Sequence, residues 1–152
     1  MRNRAALLAL AAAAVLFSGC LEDNGLTDPG TCQAPKLAIP TLNGDTVTTA
    51  NGVKYLEPLV GNGATAQATS QVTVTYNGYL TDGTLFARGS LSVLNLPDVI
   101  PGFREGVVGM KAGGIRRLII PPAQGFGTAG SGSCVPSGAT LIFDVNLVGS
   151  VL

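Results

Sequence analysis

The sequence predicts an α+β fold in which an antiparallel β-sheet closes over one short α-helix. Two observations carry the sheet. From about residue 52 onward, short apolar runs are separated by Gly-containing turns, the texture of successive strands. Within that region the run QVTVTY at 71–76 alternates apolar and polar residues, which sets Val72, Val74 and Tyr76 on one face. A third observation carries the helix. In PGFREGVVGM at 101–110, Phe103, Val107 and Met110 recur at spacings of four and three and share one stripe.

The elements follow in chain order. Residues 1–19 carry Arg2 and Arg4, then an unbroken apolar run over 5–17, then small residues before Cys20. That is the pattern of a secretory signal, and its apolar run is too short to span a bilayer comfortably. The stretch LFSGC at 16–20 resembles a bacterial lipobox, in which the cysteine is lipidated and becomes the new N-terminus after cleavage. It departs from the usual pattern at Phe17, where Leu is usual, with Leu16 one step earlier. The other reading is an ordinary signal peptide cut near Gly19, which leaves Cys20 as a free thiol in an oxidising compartment. With Cys20 as the lipidation site, acyl chains anchor the protein without a transmembrane helix.

Residues 20–51 are rich in Gly, Pro, Asn, Asp and Thr without a sustained period. They read as a linker with one short strand near 36–39 and a turn at Asn43-Gly44. Residues 52–152 are the folded domain. After the strand at 71–76, TDGT at 81–84 is a hairpin-type turn. Pro101 suits the start of the helix and Gly113 its end. Residues 115–120 and 139–148 are two further strands, the latter with Leu141, Phe143, Val145 and Leu147 on one face. The literal GxGxxG at 125–130 is a false positive for a dinucleotide site. It follows Pro121-Pro122 and runs into Ser131-Gly132-Ser133, with no helix to point at a pyrophosphate.

Composition narrows the chemistry. The chain of 152 residues has no histidine, which removes Ser-His-Asp hydrolases, Cys-His proteases and His-ligated zinc sites. No metal site and no cofactor is expected. Nine basic residues balance nine acidic ones, and no Lys/Arg cluster is long enough to follow a phosphate backbone, so no nucleic-acid partner is expected. Taking Arg2 and Arg4 from the nine basic groups leaves 7 − 9 = −2 for the mature part.

Several segments match one family. GVKY at 52–55, VTVTYNG at 72–78, DGTLF at 82–86, VIPGF at 99–103 followed by Glu105-Gly106 and Gly113-Gly114, and ATLIFDV at 139–145 together resemble the FKBP-type peptidyl-prolyl cis/trans isomerases. The resemblance covers essentially all of residues 52–150. It implies an FKBP-like half-open antiparallel sheet wrapped around the short helix, with a hydrophobic proline pocket between them. It also implies a pocket lined by Tyr76, Phe86, Val99, Ile100, Phe126, Val135 and Phe143, floored by Phe103 where the family usually has Trp. Substrate contacts are expected at Ala87, Asp98, Cys134 and Val135 around its edge. From periodicity alone, ordinary core packing explains the same apolar side chains equally well.

The implied activity is peptidyl-prolyl isomerisation that assists folding of exported proteins, with X-Pro segments of those proteins as partners and macrolides as inhibitors. Two departures bear on its rate. After Phe86 the family typically has Asp and this chain has Ala87; where the family has a Tyr hydroxyl, this chain has Phe126. An aromatic residue is also missing near 90–93. Three readings stay open: a slow isomerase, a non-catalytic proline-peptide-binding or chaperone module on the membrane surface, and a lipid-anchored domain whose pocket has closed.

With Cys20 lipidated, Cys32 and Cys134 remain as a pair in an export-bound chain, and a disulfide between them is expected. A monomer is expected, since no dimerising arm or metal-binding insert is visible. The expected location is a bacterial membrane surface, held by the lipid anchor. Leu21, with no Asp at that position, suits the outer membrane of a diderm bacterium.

Overall fold

The structure, a computed structural model, describes residues 32–152. The signal-like run and Cys20 lie outside the described residues. The chain forms β1 (Thr46–Thr48), β2 (Lys54–Leu59), β3 (Gln71–Leu80), β4 (Leu85–Asn95), α1 (Pro101–Val107), β5 (Ile115–Ile120) and β6 (Leu141–Val151). The strands make one six-stranded sheet in the order β1-β2-β5-β6-β3-β4, and every neighbouring pair is antiparallel.

Alternation places one face of each strand inward. Val72 and Val74 of β3, Leu118 and Ile120 of β5, and Leu141, Val145 and Leu147 of β6 are all fully buried. Helix α1 closes that face with Phe103, Val107 and Met110 just beyond its end. It lies very close to β5 because two of its residues have no side chain. A Cβ on Gly106 would stand 2.5 Å from Leu118 Cδ2, and one on Gly102 would stand 2.3 Å from Ile120 Cγ2.

The helix is shorter than the spacing predicts. It ends at Val107, because Val108 leaves helical geometry and Gly109 turns left-handed at φ 84°, a conformation that glycine adopts without steric cost. The stop is therefore Gly109 and not Gly113. Met110 still reaches the core because the chain folds back there: the Gly109 N–H donates to Ala66 O at 2.9 Å. The freed carbonyls of Gly106 and Val108 accept from Arg116 Nη1 at 2.8 and 3.4 Å. Arg116 also pairs with Glu57 at 2.8 Å and lies over the Tyr55 ring, 4.2 Å from its centroid.

The stretch read as a linker is partly sheet. Its strand is β1 at Thr46–Thr48, paired with β2, while the strand expected near 36–39 is only an isolated bridge between Lys36 and Thr84. Pro35 and Pro40 flank that bridge, and a residue without an N–H cannot extend a ladder. The segment is nonetheless fixed. Pro35 O accepts from Leu85 N–H, Leu37 N–H donates to Gly83 O, and Pro40 O accepts from Arg117, which also holds Asp144 through two contacts. Cys32 and Cys134 are joined by a disulfide, with their Cα atoms 4.6 Å apart.

Candidate functional site

Between the sheet and the N-terminal end of α1 lies a pocket of about 210 Å³, lined by Tyr76, Phe86, Ala87, Leu94, Val99, Ile100, Phe103, Phe126 and Phe143. Strand β3 supplies Tyr76, β4 supplies Phe86, Ala87 and Leu94, and β6 supplies Phe143. Val99 and Ile100 come from the extended stretch between a 3-10 turn at Leu96–Asp98 and the helix, which in turn contributes Phe103. Phe126 stands in the turn that follows Pro122–Gln124.

The rings hold one another at angles. Phe143 lies 5.2 Å from Phe103, 5.5 Å from Phe86 and 6.0 Å from Tyr76 between centroids, so a single side chain touches the floor and two walls. Tyr76 meets Phe103 edge-on at 6.0 Å. Such tilted and edge-to-face contacts are the favoured aromatic arrangements, and they leave a ring-lined box instead of a filled core. Two glycines make room for it. A Cβ on Gly78 would come within 2.8 Å of Phe143 Cε1 and 3.0 Å of Phe86 Cζ, and one on Gly89 within 2.3 Å of Tyr76 Cε1.

The chemistry of the pocket is defined by what lines it: no carboxylate, ammonium, guanidinium or thiol is among the nine residues. At its edge, Ile100 O accepts from the N–H groups of Phe103 and Arg104 at 3.0 and 3.2 Å and so begins the helix. Among the described residues the Ile100 N–H meets no acceptor, which leaves a main-chain donor at an apolar rim. Strong electrostatics lie elsewhere. The Lys36 ammonium, 2.7 Å from Asp82, together with Thr84 holds the Asp82 carboxyl well below the usual carboxylate range. Hydrogen bonds from Thr49 and then Asn51 lower Glu105 on α1.

Of the residues that the sequence pointed to, the structure brings Tyr76, Phe86, Ala87, Val99, Ile100, Phe103, Phe126 and Phe143 together around one cavity. It does not bring Asp98, Cys134 or Val135 to the lining. The Asp98 carboxylate accepts from Asn95 Nδ2 at 3.1 Å on the exposed 3-10 turn. Val135 is 4% exposed and belongs to the buried core, and the Cys134 sulfur is bonded to Cys32. Sequence reasoning missed Leu94. Its signal is the β4 register: Leu94 pairs with Val72, so it shares the inward face, but a bulge at Ser90-Leu91 breaks the alternation that would have revealed it.

A family model described as FKBP-type peptidyl-prolyl cis-trans isomerase matches residues 62–148. The chain is 45% identical over 84 residues to an FK506-binding protein of Neisseria meningitidis serogroup C, covering 51% of this chain and 77% of that protein. It is 37% identical over 108 residues to a probable FKBP-type peptidyl-prolyl cis-trans isomerase of Haemophilus influenzae, covering 68% of this chain and 45% of the relative. The chain thus spans less than half the length of that second relative. A crystal structure of a peptidyl-prolyl cis-trans isomerase from Pseudomonas syringae superposes with a TM-score of 0.68 at 29% identity, over 70% of this chain and 81% of that one.

Proposed function

The chain belongs to the FKBP-type peptidyl-prolyl cis-trans isomerase family, and we propose that it isomerises X-Pro bonds in exported polypeptides, at a reduced rate, while anchored to a membrane through Cys20. The observation that carries this reading is the ring-lined box with an open main-chain donor at its edge. Isomerisation makes no bond and moves no proton. Its barrier of roughly 18–20 kcal/mol is the cost of breaking amide resonance. In the twisted amide the carbonyl loses partial negative charge and needs less hydration than the planar one. An apolar pocket therefore favours the transition state over the solvated ground state.

The residues divide the work. The proline ring docks against Phe103 and Phe143, Tyr76 and Phe86 form walls, and the Ile100 N–H donates to a substrate carbonyl. FK506, which the Neisseria relative is named for binding, would occupy the same box and compete with an X-Pro peptide. Ala87 and Phe126 support a reduced rate, since neither supplies a polar group to the twisted amide. A hydrogen bond contributes about 0.5–1.5 kcal/mol, and up to about 3 when charged, so restoring both groups is worth roughly one to three decades.

A protease-coupled assay on Leu-Pro and Phe-Pro peptides tests this, comparing the wild type with the Ala87→Asp/Phe126→Tyr variant. Acceleration by the wild type, raised in the variant, is the expected result. No acceleration by the wild type, with activity appearing in the variant, would replace the isomerase with a proline-peptide-binding module. The location rests on Arg2, Arg4, the apolar run and the lipobox-like LFSGC. A wild type that takes up no labelled fatty acid would remove the anchor, and label that persists in Cys20→Ser would remove Cys20 as its site.

A further inference from the structure

We propose that residues 32–37 are a strap that sets the spacing of two pocket walls, which makes Cys32, Lys36 and Leu37 positioning residues for X-Pro binding; the proposal rests on the isomerase reading. One wall is Phe86 with Ala87, at the start of β4 just beyond the hairpin turn. The other wall is Phe126, at the head of the loop that leads to β6.

That loop is tied within itself and back to Phe126 by main-chain hydrogen bonds. Gly130 N–H donates to Phe126 O at 3.1 Å, and Ser131 and Val135 exchange both main-chain hydrogen bonds, at 2.9 and 3.1 Å. Where the loop faces the hairpin tip, the two do not pack tightly. A groove of about 340 Å³ separates them, lined by Leu80, Thr81 and Asp82 on one side and residues 136–140 on the other.

The strap joins both sides. At one end Cys32 is bonded to Cys134 of the loop. At the other end Pro35 O accepts from Leu85 N–H at 2.9 Å, Leu37 N–H donates to Gly83 O at 2.8 Å, and Lys36 Nζ lies 2.7 Å from Asp82 Oδ2. The fit at the hairpin end is close: a Cβ on Gly83 would stand 2.4 Å from Leu37 O. Leu85 then leads directly into Phe86, so the strap connects the two walls through a short covalent and hydrogen-bonded path. Holding both walls in place before substrate arrives removes an ordering cost from binding.

The test compares the oxidised protein, the same protein reduced with dithiothreitol, Cys32→Ser, and Gly83→Ala. Gly83→Ala disturbs the strap and leaves the disulfide intact. Reduction, Cys32→Ser and Gly83→Ala are expected to raise KM for an X-Pro peptide about two- to tenfold, the cost of ordering one freed side chain, with kcat unchanged. Amide exchange is expected to quicken both in 83–87 and in 126–138, with β5 and β6 unaffected. Lower thermal stability with unchanged KM, or faster exchange confined to 32–40, overturns the proposal and leaves a plain staple. If the oxidised protein shows no turnover, the isomerase reading fails, and the exchange pattern alone then decides whether the strap couples the two walls.

Discussion

Phe143 joins the two duties of this domain in one side chain, since it is 5% exposed in the core cluster and also touches Phe103, Phe86 and Tyr76 around the pocket. Cutting it to Ala removes both roles. Phe143→Ala is expected to cost about 3–5 kcal/mol of stability, as for other buried aromatics, and to abolish binding of X-Pro peptides even where the protein stays folded. Denaturant unfolding together with peptide titration checks this; retained affinity would show that the box does not depend on this ring. Glu105 makes a quieter contribution. Thr49 and Asn51 hold its carboxyl below its ordinary value of 4.5, so the stability it adds is present above that value and is lost as pH falls through the depressed folded one. The Tm gap between wild type and Glu105→Gln is therefore expected to be widest near neutrality and to close in acid. A gap that does not change with pH would remove the charge from the account.

At the scale of the element, α1 shows a local preference yielding to packing. In an isolated helix, Gly→Ala gains about 0.5–1 kcal/mol. At Gly106 the new methyl would stand 2.5 Å from Leu118 Cδ2, and overpacking of this kind costs about 1–3 kcal/mol, so the net sign is destabilising. Gly106→Ala is expected to lower Tm, and a rise would mean that helix and sheet separate without cost. The same element shows how far the sequence is legible. The stripe of Phe103, Val107 and Met110 announces which face is buried, and β5 at Ile115–Ile120 has the predicted bounds. The helix end is misread because Gly109 and Gly113 are both left-handed, and the sequence does not show that Val108 already leaves helical geometry, with Gly109 bonded back to Ala66. β4 is obscured by its bulge, where Leu91 sits at φ 52° and shifts the inward face by one residue.

At the scale of the whole molecule, alternation reveals which side of a strand is buried but not which strands are neighbours. That β5 and β6 separate β2 from β3 is invisible to period-two reasoning, and so is the convergence of Tyr76, Leu94, Phe126 and Phe143 on one cavity. Family spacing supplies Tyr76, Phe126 and Phe143 but not Leu94, and it puts the buried Val135 in the lining. The disulfide acts at this scale too, because it links residues 102 apart. In the chain-entropy model a loop of that size stabilises by about 4–5 kcal/mol. Reduction should accordingly lower the midpoint of denaturant unfolding, and an unchanged midpoint would show that the hydrogen bonds of Pro35, Leu37 and Pro40 hold the segment unaided. The sheet order has one more consequence, for the order of events when the chain is made. β6 lies between β5 and β3 and is the last of the six strands along the chain. Synthesis proceeds from the N-terminus, so β3 and β5 must wait with open inner edges until residue 151 has emerged. Pairings this distant along the chain form slowly, and open edges invite other strands. For as long as its own last strand is missing, this member of an isomerase family is itself a polypeptide exposed to misassembly.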